Sequence, residues 1–173
     1  MKKASMAFAV ILFISVASGQ RLRRPAVELE PRLSIYVNYL TDDTDLGIGA
    51  DILFNPSPNL GFRIGLTDIY FFQTTQFSLN HGLITYFPKV DALFYISTRR
   101  AQSYIHLGLG YTKLEDYSWL VMGGGFGLDY FLSRTTCLSF EPGLYIFTYS
   151  NNGSGNTETA FRINLGIKYG IMR

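Results

Sequence analysis

The chain has 173 residues, 47% of them hydrophobic and 16% charged, with 17 Gly, 14 Phe, 12 Tyr, one Trp and one Cys. That length suits one domain with its own core, whereas the low charge and high aromatic content argue against a disordered or nucleic-acid-binding chain, and a single Cys excludes a disulfide framework or a multi-Cys zinc site. A mean hydropathy of +0.13 is high for a soluble domain yet too low for a bundle of membrane helices.

The first 19 residues read as a secretory signal peptide. Lys2 and Lys3 form a basic start, Ala7 to Val16 is apolar except for Ser15, and Ala17 and Gly19 place small residues ahead of a cleavage before Gln20. The apolar run is too short for a spanning helix, which needs about 18 residues. Removing this leader takes away two bases and no acids and leaves 13 charges of each sign, so the formal +2 does not point to an acidic partner. Residues 20–32, with Arg21, Arg23, Arg24, Pro25 and Pro31, read as a linker or short periplasmic arm.

From Leu33 onward the pattern has period two, not the period of a helix. Successive strand residues point to opposite faces, and each segment places apolar groups on one face and Gly or polar groups on the other. Leu33, Ile35, Val37 and Tyr39 oppose Ser34, Tyr36, Asn38 and Leu40; Leu46, Ile48, Ala50, Ile52 and Phe54 oppose Gly47, Gly49, Asp51 and Leu53. Leu60, Phe62, Ile64 and Leu66 oppose Gly61, Arg63, Gly65 and Thr67. A fourth strand is expected over Gln76 to Phe87, although Val90 to Ser97 alternates as well and is the competing position. Ile105, Leu107, Leu109 and Tyr111 then oppose His106, Gly108 and Gly110. Leu120 to Leu132 places Asp129 on its polar face, Leu138 to Ile146 places Glu141 there, and Phe161 to Ile171 places Arg162 and Lys168 there. Eight strands result; counting both candidates for the fourth, plus Ala26 to Glu30, would make ten.

A soluble barrel would hold the apolar face inward. The reverse is favoured here because the polar faces are dominated by Gly, which suits a crowded lumen better than a water-facing wall. The apolar faces are nearly free of charge, and aromatic residues gather near the strand ends: Phe54, Tyr130 and Tyr169 at one rim, and Tyr39, Phe71, Phe77, Tyr111 and Phe161 at the other. Two aromatic girdles around an apolar band mark a transmembrane barrel, and closure satisfies every backbone group in lipid. The expected fold is therefore all-β, a transmembrane up-and-down antiparallel β-barrel over residues 33–173.

Ser103-Tyr-Ile-His-Leu-Gly-Leu-Gly-Tyr111 is similar to the recurring Pro-Tyr-x-x-x-Gly-x-Gly-Tyr stretch of the small outer-membrane β-barrels of the OmpA and OmpX type, with Ser103 in place of Pro. The pattern of residues 33–173 resembles that family throughout. Asn164, Gly166, Tyr169 and Ile171 are similar to its C-terminal assembly signal, although Met172-Arg173 follows where a terminal aromatic is commoner. The resemblance implies a cell-envelope protein of the Gram-negative outer membrane, inserted by the barrel-assembly machinery. Its partners would be outer-membrane lipids and lipopolysaccharide, and it would be a monomer.

The expected site is a lumenal charge network of Asp51, Arg63, Asp129, Glu141, Arg162 and Lys168. Eight strands leave an interior that side chains just fill, so paired charges are expected to plug it and to leave a structural or weakly adhesive protein with its binding function in the loops. A narrow pore or small-molecule conduit is the alternative. A lipid A-modifying enzyme is disfavoured because barrel deacylases carry His-x-Ser, whereas this chain has His106-Leu-Gly108 and His81-Gly-Leu83, and Ser78 is three residues from His81 and so on the opposite strand face. A secreted soluble lipid-binding barrel is the remaining alternative. No catalytic residue, metal or cofactor is expected, and Gly123-Gly-Gly-Phe-Gly127 lies within a strand, not in a phosphate-binding loop.

Overall fold

The computed structural model describes residues 23–38, 44–71, 82–83, 89–96, 100–114, 117–151 and 154–172. They form β1 (Val27–Asn38), β2 (Thr44–Ser57), β3 (Leu60–Phe71), β4 (Gly82–Leu83), β5 (Lys89–Tyr95), β6 (Ala101–Leu114), β7 (Tyr117–Phe131), β8 (Thr136–Asn151) and β9 (Ser154–Met172). All pairings are antiparallel, and β1 pairs with both β2 and β9, so the sheet closes on itself. The two shortest strands share one position in the wall: β4 pairs with Tyr70 and Phe71 of β3, while β5 pairs with Leu60 to Ile64 of the same strand. The fold is a closed barrel of eight strand positions.

The fourth position is the one that the two alternating stretches contested. Its main pairing belongs to Lys89–Tyr95, where Val90 and Phe94 face out and Asp91, Leu93 and Tyr95 are buried. Of Gln76–Phe87 only Gly82 and Leu83 fall among the described residues. Ala26 to Glu30 adds no further strand, because Val27 continues directly into Leu33 within β1. The arm expected over residues 20–32 therefore ends before Val27. Val27, Leu29 and Pro31 extend the outward row, and Glu28, Glu30 and Arg32 are buried on the other face. Charge at every second position looked like linker composition, and it is the inner face of a strand.

Alternation holds along most of the described wall, with the start of β6 an exception, where Ala101 to Tyr104 are all buried. Ile105, Leu107 and Leu109 are 48%, 59% and 54% exposed, whereas the intervening His106 is fully buried. Most of the large aliphatic groups point outward, whereas twelve charged groups point inward together with rings such as Tyr95, Tyr104 and Tyr145, the inverse of a soluble domain. Register is held by the alternation, since a slip of one residue would exchange the faces. The register shifts at three places among the described residues, at Val27/Glu28, at Phe54/Ser57 and where Ala50 pairs with Thr67 and Asp51 with Gly65, so that Leu66 has no opposite residue.

The strand ends differ. At the end where the described chain starts at Arg23 and stops at Met172, short turns join β2 to β3 and β7 to β8. In the last, Ser133 Oγ accepts from the Thr135 and Thr136 amides at 3.2 and 3.0 Å. At the other end β8 and β9 run to 16 and 19 residues, whereas about 10 tilted residues cross a bilayer. The surplus leaves the apolar band, where Thr157 and Thr159 replace the outward aliphatics.

Candidate functional site

The six charges expected inside the barrel are all there: Asp51, Arg63, Asp129, Glu141, Arg162 and Lys168 are each no more than 1% exposed. Six more share the lumen. Arg24, Glu28, Glu30, Arg32, Lys89 and Asp91 are also buried, so the buried set balances at six bases and six acids.

Arg63, rising from β3, is the centre of the network. Its Nε donates to Asp91 Oδ2 at 2.7 Å, and its Nη1 and Nη2 donate to the two oxygens of Glu141 at 2.7 and 2.9 Å. Glu30 and Asp51 lie at 3.7 and 3.8 Å. One guanidinium thus faces four carboxylates from four strands, a planar fork well matched to bidentate pairing. Glu141 also accepts from Tyr104 Oη at 2.9 Å and Asn164 Nδ2 at 2.8 Å. Arg32 pairs with Asp51 at 2.7 Å, and Lys89 with Asp91 at 3.1 Å.

Towards the turn end, Lys168 Nζ binds both oxygens of Asp129 at 2.8 and 2.9 Å. Arg24 closes this end. It reaches in from ahead of β1, donates to Glu28, Gln102 and Asp129, and stacks its guanidinium 4.0 Å from the Tyr95 ring centroid. Towards the loop end, Arg162 lies over the Tyr36 and Tyr145 rings at 5.0 and 5.1 Å, and Tyr36 meets Phe147 edge-on at 6.0 Å. Rings and cations therefore span the lumen along its axis.

The lumenal glycines give these side chains room. A Cβ on Gly127 would sit 2.0 Å from Tyr104 Cζ, one on Gly123 would sit 2.3 Å from Tyr145 Cδ1, and one on Gly166 would sit 2.6 Å from Glu30 Oε1. Each large residue lies against the bare backbone of a neighbouring strand. Gly123 to Gly127 is thus a stretch of inner wall covered by rings.

Sequence reasoning missed six of the twelve charges. Glu28, Glu30 and Arg32 alternate with Val27, Leu29 and Pro31, and that signal was readable. Lys89 and Asp91 became readable once Val90 to Ser97 was preferred for the fourth strand. Arg24 carries no such signal, because it lies outside any strand and only the closed barrel brings it to Asp129, 105 residues away.

Other candidate residues fall as follows. His106 is buried with its Nε2 3.6 Å from Glu141 Oε1, and neither ring nitrogen has a hydrogen-bond partner among the described residues. No hydroxyl therefore joins it in an acyl-transfer arrangement there. Ser78 and His81 lie outside the described residues. Cys137 is a buried free thiol. No cluster of three or more His, Cys, Asp or Glu that could hold a metal occurs among the described residues. Of the residues resembling an assembly signal, Asn164 is buried in the network and Gly166 lies against Glu30, while Tyr169 and Ile171 face outward at 45% and 62% exposure.

No protein-family model matches the chain, and no curated protein matches it. Among solved structures, the crystal structure of Neisserial surface protein A (NspA) aligns with 84% of this chain and 96% of its own, at 11% identity and a TM-score of 0.56. A structure described as a de novo design of transmembrane β-barrels covers 86% of this chain and 98% of its own, at 19% identity and a TM-score of 0.47. The first likeness concerns the fold: a closed eight-stranded barrel.

Proposed function

We propose that the chain is an outer-membrane β-barrel protein whose lumen is blocked by its own side chains, with a structural or weakly adhesive role exercised through its loops. One observation carries this reading: the barrel is inside out, with twelve charges buried in the lumen and Leu, Ile and Phe exposed along the wall. Such a wall has no stable place in water, because an uninterrupted apolar surface of this extent marks contact with lipid or protein. The leader expected over residues 1–19 and the likeness to the NspA fold support the outer membrane as its location. Membrane lipids and lipopolysaccharide are the surroundings it would contact, and the barrel-assembly machinery would insert it.

The network is also the reason for proposing a closed lumen and no enzymatic activity. A conducting path needs a continuous polar route with space for hydrated ions, whereas Arg63, Arg162, Tyr104 and Tyr145 are among the largest fully buried side chains. Planar-bilayer recording of the refolded chain tests it, with heat-modifiable gel migration confirming insertion. No steps above baseline are expected from inserted barrel. Large, reproducible channels would replace this reading with the narrow-pore alternative, and a chain that stays monomeric in buffer without detergent would replace it with a soluble barrel.

A further inference from the structure

Among the residues whose exposure is described, the exposed charges are Arg23, Arg100 and Arg134. All three belong to the end that carries the short turns. They also converge on one part of that rim. Arg134 is at the tip of the β7–β8 turn, and the Arg100 and Phe131 backbones exchange a hydrogen bond of 2.9 Å from the Phe131 amide. Arg100 Nε donates to the Phe131 carbonyl at 3.0 Å, and its guanidinium lies 5.3 Å from the Tyr130 ring. Arg23 is two residues from Pro25, which packs against Gly170, and the Gly170 amide donates to Thr135 within the same turn. Among the residues whose exposure is described no acid balances this group, since the acids there are buried with the lumenal bases.

The opposite rim is different. Its exposed described residues on β9 are Gly155, Thr157 and Thr159. The sequences of segments 39–43, 115–116 and 152–153 contain four acids and no base, with Lys113 the one base within two residues of them. Among the residues whose exposure is described, exposed basic charge therefore lies at one end of the barrel.

Immediately next to the arginines, an apolar groove of about 790 Å³ runs over the outer wall, lined by Tyr130, Leu138, Phe140, Leu165 and Ile167. It begins at the Tyr130–Leu138 pair, two residue pairs from the β7–β8 turn. Tyr130 belongs to both features, lining the groove and carrying Arg100 on its ring.

We propose that this rim binds anionic phospholipid in the leaflet at the turn end, with the phosphate-bearing headgroup on Arg100, Arg134 and Arg23 and an acyl chain in the groove. The inference rests on the bilayer-spanning reading above and names the lipid class and the leaflet. Arginine suits this task because its fork donates two parallel bonds to a phosphate and its plane stacks on an aromatic ring. A base beside an anionic headgroup favours it on the order of fivefold.

The test uses the full chain refolded into phosphatidylcholine vesicles, with trace spin-labelled phosphatidylglycerol or spin-labelled phosphatidylcholine as the probe. The motionally restricted fraction gives relative association constants. Wild type should prefer phosphatidylglycerol roughly fivefold at low salt, and the preference should shrink as salt shortens the screening length to about 3 Å near 1 M. The triple variant Arg23→Gln, Arg100→Gln, Arg134→Gln should lose it, and the matching Lys variant should keep most of it. Equal association of both lipids with folded wild type, or an undiminished preference in the Gln variant, overturns the inference and leaves the barrel reading standing. Should the Gln variant fail to fold, the wild-type salt titration decides, and a preference indifferent to salt overturns the inference. A chain that never enters the vesicles overturns both readings.

Discussion

Replacing Arg63 by methionine removes one charge that faces four carboxylates while keeping an unbranched apolar side chain in its place. Three charge-assisted hydrogen bonds disappear, at 2.7, 2.7 and 2.9 Å. Glu141 keeps Tyr104 and Asn164, and Asp91 keeps Lys89 at 3.1 Å, so the acids are not wholly orphaned. Breaking a buried pair by removing one partner costs about 3–5 kcal/mol, because the other charge is left behind without compensation. With the surviving partners and the recovered packing, about 4 kcal/mol is the expected loss. Urea unfolding in detergent micelles, followed by gel mobility and circular dichroism, reads this as a fall in midpoint of about 2 M at a slope of about 2 kcal/mol/M. The double variant Arg63→Met, Glu141→Gln should recover part of the loss, since it removes the acid most dependent on Arg63. A midpoint change below about 0.5 M with an unchanged slope would refute the reasoning. It would mean that water reaches Asp91 and Glu141 and solvates them, and with that the closed lumen would fall as well.

The remaining predictions concern the wall, the glycines and the C-terminal strand. Gly127→Ala should destabilise by about 1–3 kcal/mol through overpacking against the Tyr104 ring, read as a lower midpoint in urea unfolding. Leu107→Lys places a charge on the outward face, where it should cost about 2–4 kcal/mol if it lies near the bilayer midplane. The same change at Thr157, beyond the apolar band, should leave the midpoint in vesicles unmoved, and equal costs at the two positions would contradict a lipid-facing wall. Tyr169→Ala should slow insertion into vesicles carrying the barrel-assembly machinery several-fold, while spontaneous refolding in detergent keeps its rate; a matched slowing in both would assign Tyr169 to packing alone.

Much of this molecule was readable before folding because a strand repeats every two residues and a barrel wall separates two media. Ile163, Leu165 and Ile167 against Arg162, Asn164 and Lys168 carry enough contrast to place each side chain on its face. The same logic put Asp51, Arg63, Asp129, Glu141, Arg162 and Lys168 in the lumen. It faltered where composition resembled something else. Glu28, Glu30 and Arg32 looked like a charged arm, and Gln76 to Phe87 looked as strand-like as Lys89–Tyr95, which forms the main pairing with β3.

What alternation could establish by itself was the strand-rich architecture and the division of each strand into a polar and an apolar face, because these depend on neighbours along the chain. Which charge meets which was decided only by closure. Arg63 finds Glu141 and Arg24 finds Asp129 across 78 and 105 residues of sequence, through a register and a curvature that no local pattern encodes. The same closure collects Arg23, Arg100 and Arg134 around one turn. Proximity between distant segments is a property of the closed sheet, and it converts charges scattered along the chain into one buried network.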